Sequence, residues 1–154
     1  MNLDPSAFVA DPELLHDLEP QTSQISFEQE TILFEQGNPA AGLYILKSGP
    51  VTLRMESPAN SNVLSLEASP GSLLGLPAVI GDVPYTLTAT AHPGAVLGYL
   101  TRESFARIMS TDGQLALKVL RVMAAEVRSA RHVILQQSDK PRRRRARLTP
   151  SRHP

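Results

Sequence analysis

Gly71–Ala91 reads GSLLGLPAVIGDVPYTLTATA, and the order of its parts narrows the fold more than any other stretch. Gly75 opens a short apolar run, Pro77-Ala78-Val79-Ile80, long enough for about one helical turn. A turn and Pro84 follow, and proline both stops a helix and pushes its predecessor toward extended backbone. Thr86-Leu87-Thr88-Ala89-Thr90 then alternates with the period of a strand.

The same period of two extends outward in both directions, from Ile25 to about Leu100. Ile25/Phe27, Ile32/Phe34, Leu43/Ile45, Val51/Leu53/Met55, Val63/Leu64/Leu66, Leu87/Ala89 and Val96/Leu97/Tyr99 are short apolar or alternating runs. Turn signals divide them: Gln36-Gly37-Asn38-Pro39, Lys47-Ser48-Gly49-Pro50, Ser57-Pro58-Ala59-Asn60, Ser69-Pro70-Gly71 and His92-Pro93-Gly94. Short strands broken by Gly and Pro indicate a sandwich or barrel rather than alternating strands and helices.

Helical spacing flanks this β region. Phe8, Leu14, Leu15 and Leu18 share a face, Asp11 is a plausible N-cap with Pro12 at the first helical position, and Pro20 is expected to stop the helix. After Leu100, Thr101 can cap a helix over Arg102–Met109. Asp112 or Thr111 can cap a longer one from about Gly113 to about Gln136. Along it Ala116, Leu120, Met123, Val127, Ala130 and Ile134 form the 3.5-residue stripe of a coiled-coil seam, which implies a homodimer. Leu115, Val119 and Val122 form a second apolar flank that can pack on the β region. The expected organisation is a helical segment at residues 1–20, a β domain with its C-terminal helices at 21–138, and a disordered basic tail at 139–154.

Composition bounds the chemistry. The chain has 154 residues, 42% apolar and 19% charged, as in a globular domain. With no Cys, disulfides, thiolate metal sites and thiol catalysis are excluded. Net charge is zero but unevenly placed: residues 1–100 hold eleven acids against Lys47 and Arg54, whereas residues 101–154 hold thirteen bases against four acids. Lys140 and Arg142-Arg143-Arg144-Arg145 dominate that excess. They read as a solvated tail, an arm for nucleic acid or another polyanion, or one that folds back on the acidic body. The opening MNLDPSAFVADPELL has no basic n-region or apolar h-region, and no run nears the ~18 apolar residues of a membrane span. A cytoplasmic protein without membrane contact is expected.

The Gly71–Ala91 pattern resembles the phosphate-binding cassette of the cyclic-nucleotide-binding domain, the sensor of the catabolite-activator (Crp/Fnr) regulators. Glu35-Gln36-Gly37-Asn38, followed by Leu43-Tyr44-Ile45-Leu46-Lys47-Ser48-Gly49-Pro50-Val51, is similar to that family's early pattern of a glycine turn, a tyrosine-bearing strand and a glycine hairpin. The resemblance covers Thr31 to about Arg131. It implies a mainly β fold: an eight-stranded jelly-roll barrel, with an N-terminal helix and a long C-terminal dimerisation helix. In it Tyr44 would plug the barrel.

The resemblance also implies a ligand site over Gly75, Leu76, Pro77, Ala78, Pro84, Tyr85 and Thr86, and here the chain departs from the family. The residue after the glycine is normally a Glu that holds the ribose, and here it is Leu76. The residue after the proline is normally an Arg that holds the cyclic phosphate, and here it is Tyr85. Thr86 and backbone N–H groups at the start of the cassette helix remain for an anion. Losing one partner of a buried charge pair costs about 2–5 kcal/mol, roughly 30-fold to several thousand-fold in affinity. Tight binding of cyclic AMP or GMP is therefore not expected. Leu73, Leu74, Leu76, Val79 and Tyr85 either fill the old pocket or line an apolar one in which the Tyr85 hydroxyl is the polar anchor.

Two functional classes remain. One is a dimeric ligand-sensing or protein-interaction module of regulatory function. The other is a Crp/Fnr-type transcriptional regulator that contacts nucleic acid through its basic tail, in place of the winged helix with which the family's regulators usually continue. No enzyme is expected, and no metal or cofactor. His16, His92, His132 and His153 are scattered without metal-ligand spacing, and no Gly-x-Ser-x-Gly elbow occurs.

Overall fold

The computed structural model describes residues 9–138, with side chains throughout that range except at 60–63, 126 and 129–138. Helix α1, Pro12–Leu18, starts as its sequence dictates: the Asp11 carboxylate accepts from Leu14 N–H at 2.8 Å, with proline where no donor is needed. The α-helix ends at Leu18, two residues before Pro20, as expected, but the chain turns once more. Pro20 sits in the first turn of a 3-10 helix, Glu19–Gln21, where its missing N–H is again no loss.

Eight strands follow: β1 (Ser23–Ser26), β2 (Thr31–Phe34), β3 (Gly42–Ser48), β4 (Val51–Ser57), β5 (Asn60–Glu67), β6 (Leu73–Leu74), β7 (Thr88–Ala91) and β8 (Val96–Thr101). They form two antiparallel four-stranded sheets, ordered β1-β8-β3-β6 and β2-β7-β4-β5. The fold is mainly β and jelly-roll-like, with two separate sheets rather than one closed ring. Non-consecutive neighbours such as β3 with β8 and β4 with β7 require the chain to cross between sheets, which the glycine turns allow. Gly37 and Gly49 both hold positive φ, 91° and 85°.

Two elements differ from the sequence reading. The Thr-rich segment joins the sheet only from Thr88, which leaves Leu87 outside β7. The two-residue β6 is pinned by Tyr44↔Leu74 and Ile45↔Leu73 pairing and had no alternation to announce it.

The two sheets enclose one core. Leu43, Leu46, Val51, Leu53, Leu73, Leu74, Leu97 and Leu100 are all fully buried in it. Helix α3 (Arg102–Thr111) is capped by the Thr101 hydroxyl, which accepts from Ser104 N–H at 3.1 Å. Helix α4 (Gly113–Ser138) is capped by Asp112, whose carboxylate accepts from Leu115 N–H at 3.1 Å. Thr111, the other candidate, instead turns its hydroxyl back to the Arg107 carbonyl at 2.9 Å.

Leu115, Val119 and Val122 bury the inner face of α4. Lys118 ties the helix to α1 through Glu13 at 2.9 Å and Asp17 at 3.0 Å. Those two bonds, Glu13 first, raise the Lys118 pKa above its ordinary 10.5.

Candidate functional site

The cassette runs from β6 through the short helix α2 (Leu76–Gly81) to β7. Gly75 caps α2 in the left-handed conformation, φ 89°. A Cβ there would lie 2.9 Å from Cε1 of Tyr85, so glycine is required both by the backbone and by the ring beside it. Asp82 closes the helix at φ 51°, a conformation that Asp tolerates better than most residues. Its carboxylate meets the Arg102 guanidinium at 2.7 Å, which joins the cassette to the start of α3.

The site residues take different places. Leu76 is fully buried, and Ala78, Val79, Leu73 and Leu74 share its core cluster. Pro77 is half-buried. Pro84 and Thr86 are exposed, and so are Ile80 and Val83 on the outer side of the cassette. Tyr85 is only 5% exposed. Its ring stacks on Phe34 with centroids 4.1 Å apart and planes 15° from parallel.

The Tyr85 hydroxyl donates to the Gly42 carbonyl at 2.6 Å and accepts from the Ala41 and Gly42 N–H groups, each at 3.1 Å. A phenol has one donor and two acceptor sites, so all three are engaged. The Tyr85 backbone adds two bonds to the same loop, donating to Asn38 O at 3.0 Å and accepting from Gly37 N–H at 2.8 Å. The sequence left two readings of this region open, and the geometry matches the filled one. In this structure the hydroxyl is bound to the protein's own backbone.

The electrostatics agree. From Gly75 to Thr86 the only charged residue is Asp82, an acid. A neighbouring groove of about 430 Å³, no part of the cassette, lies among Asp17, Gln21, Arg107, Thr111 and Asp112. Beside β7, a second groove of about 570 Å³ is lined by Glu35, Gln36, Glu56 and Thr88. Its wall is set by Gln36, whose side-chain amide pairs with both backbone groups of Glu56, at 2.8 and 2.9 Å. Two carboxylates at its rim are a poor reception for a phosphate.

Tyr44 is half-buried, 6.2 Å from Phe34 and 4.8 Å from Tyr99 between centroids. Burial first, and then the neighbouring phenols, raise its pKa above 10.0, and Tyr99 is raised for the same leading reason. Phe34, Ala41 and Gly42 were not legible as site residues. Phe34 read only as one apolar position of a strand, and Tyr85 meets Gly42 across 43 residues of sequence.

Along α4, the stripe read from the sequence divides. Leu120 and Val127 are 57% and 46% exposed, Ala116 is half-buried, and Met123 packs against the core. Leu117, outside that stripe, is 51% exposed. The side chains of Ala130 and Ile134, and all of Arg142, Arg143, Arg144 and Arg145, lie outside the described residues. Among the described residues no helix is long and apolar enough to cross a membrane.

A two-sheet jelly roll with a glycine–helix–strand cassette, followed by a long helix, is the architecture of a regulatory sensor module. The model of the cyclic nucleotide-binding domain family matches residues 24–112, and the chain belongs to that family. Solved structures with the same fold include the N-terminal domain of a transcriptional regulator from Streptomyces coelicolor A3(2). It is 24% identical, with a TM-score of 0.61 over 82% of this chain and 91% of that one. The Thermus thermophilus catabolite activator protein aligns at 20% identity and TM-score 0.68 over 88% of this chain, which spans 63% of that one. A transcriptional regulator from Thermotoga maritima aligns at 18% identity and TM-score 0.65, over 82% of this chain and 98% of that one. No curated protein matches the chain in sequence.

Proposed function

We propose that this chain is a regulatory module in which the cyclic-nucleotide-binding architecture is kept while the nucleotide site is occupied from within. In this reading it acts as a dimeric ligand-sensing or protein-interaction domain in the cytoplasm, not as a tight receptor for cyclic AMP or GMP and not as an enzyme. The observation that carries it is the buried Tyr85, stacked on Phe34 and hydrogen-bonded through its hydroxyl to Ala41 and Gly42.

A nucleotide entering there would have to displace the ring and break three hydrogen bonds. It would gain neither a carboxylate for its ribose nor a guanidinium for its phosphate. The uncompensated partners alone cost about 2–5 kcal/mol. Dimerisation is supported by the exposed Leu117, Leu120 and Val127 on the outer side of α4.

Isothermal titration calorimetry with cyclic AMP and cyclic GMP tests the reading. Dissociation constants above about 100 μM, or no heat at all, are expected from the missing contacts. Low-micromolar binding of either would overturn it. The charge asymmetry supports a second reading, a Crp/Fnr-type transcriptional regulator that contacts nucleic acid through its basic tail, Lys140 and Arg142-Arg143-Arg144-Arg145 above all. Such binding would go mainly to phosphates and weaken steeply between 50 and 200 mM salt, by roughly tenfold or more for each pair of contacts.

A further inference from the structure

We infer that the Tyr85 side chain is a tethered ligand: it latches the cassette onto the β2–β3 loop and occupies a site whose chemistry is that of a phenol receptor. The inference rests on the filled-site reading above and goes beyond it by assigning what the site recognises.

The receptor has four parts. Phe34 supplies a flat apolar wall at stacking distance. The Ala41 and Gly42 N–H groups point two donors at one oxygen, and the Gly42 carbonyl accepts that oxygen's proton. Gly75 forms the floor, and any larger residue would invade the ring's space at 2.9 Å. Two N–H donors and one C=O acceptor around a single oxygen match a neutral hydroxyl. They suit a phenolate poorly, because the carbonyl would face a negative charge. They suit a bare hydrocarbon worse, because the buried Gly42 donor and the part-buried Ala41 donor would both lose their partner. An aromatic ring carrying one hydroxyl is the ligand class that satisfies every group.

The tether explains how such a site contributes without a diffusible ligand. The backbone bonds Tyr85 N–H to Asn38 O and Gly37 N–H to Tyr85 O hold the ring's point of attachment at the rim. Ring and hydroxyl then enter at high effective concentration. The cassette is thereby closed in the resting chain, with Asp82 carrying that position to Arg102 at the start of α3.

The test uses the full chain with Tyr85→Ala, which empties the site, and Tyr85→Phe, which keeps the ring and removes the oxygen. Phenol added to Tyr85→Ala should raise the melting temperature by about 3–6 °C at tenfold excess over its dissociation constant. Benzene, of nearly the same shape, should bind at least about tenfold more weakly because it leaves the two donors unpaired. Equal stabilisation by phenol and benzene, or by neither, would overturn the latch. Should Tyr85→Ala not fold, Tyr85→Phe decides by hydrogen exchange. The Ala41 and Gly42 amides should exchange at least about tenfold faster than in the parent, with the Leu53 amide on β4 unchanged. Unchanged exchange at Ala41 and Gly42 would also overturn it. Low-micromolar cyclic-nucleotide binding by the unaltered chain would instead overturn the filled-site reading, so the two failures are distinguishable.

Discussion

Leu76 opens the cassette helix fully buried, whereas Leu120, in the first third of α4, leaves 57% of its surface in water. Each stands in a helix with apolar neighbours, and the difference lies in what faces it. For Leu76 the chain provides its own partners: it shares one buried cluster with Phe34 and Tyr85, and no donor or acceptor of the Tyr85 phenol is left unused. Opposite Leu117, Leu120 and Val127 the described residues provide none. The apolar residues of the cassette are thus covered within the chain. The apolar stripe on α4 is left uncovered by the described residues.

The largest expected effect comes from reversing the filled end. Leu76→Glu places a carboxylate in a site with no exposed surface and, within the cassette, no cation to meet it. It should cost at least about 3–5 kcal/mol. Melting temperature by circular dichroism should fall by at least about 6–12 °C. Adding Tyr85→Arg should not recover nucleotide binding, because Arg would give up the Phe34 stack and the Gly42 bonds before any nucleotide arrives. A well-folded double variant that binds cyclic AMP would show that the site is open and that the contrast with α4 is overdrawn.

A smaller effect is expected on the uncovered face, in assembly rather than folding. Val127→Glu puts like charges across a seam where two helices meet, and should weaken the dimer by roughly 100-fold, about 2.7 kcal/mol. Because Val127 is 46% exposed in the single chain, the fold itself should hardly change. Analytical ultracentrifugation of parent and variant at tens of micromolar reads this directly. A parent chain that sediments as a monomer would remove the proposed partner. The same variant melting several degrees lower as a monomer would mean that the face is covered within the chain.

Much of this contrast was legible in the sequence, and the missing parts share a cause. Helix starts were readable because caps are local: Asp11, Thr101 and Asp112 each reach a backbone N–H three residues on. Most strands were readable because alternation is local, and the cassette because Gly75 and Pro84 punctuate it. What Tyr85 does was not readable. Its partners, Phe34 and the Ala41–Gly42 backbone, lie more than forty residues away, and all three groups that bond its hydroxyl are main chain, which no residue name announces. The same limit applies to α4. Periodicity marked an apolar stripe but could not say that Met123 leans on the core while Leu117 faces outward.

The smallest expected effect concerns how α4 is held while its other face stays bare. Lys118 bonds to Glu13 and Asp17 on α1, and those bonds raise its pKa above 10.5. A proton held more tightly by the folded chain stabilises it fully below the unfolded value, and that contribution is lost as pH rises through the folded one. Tyr44 and Tyr99 carry the same sign, since burial raises both above 10.0 and their neutral forms belong to the fold. Melting temperature should therefore be insensitive to these groups from pH 7 to about 9 and fall as pH climbs past 10. Lys118→Gln should lower it only slightly at neutral pH, as expected where water screens an ion pair, and make the alkaline fall shallower. Thermal melts of parent and variant between pH 7 and 11 measure both. Parallel curves would assign the alkaline loss to the tyrosines, and with it to the aromatic end of the β domain rather than to the seat of α4.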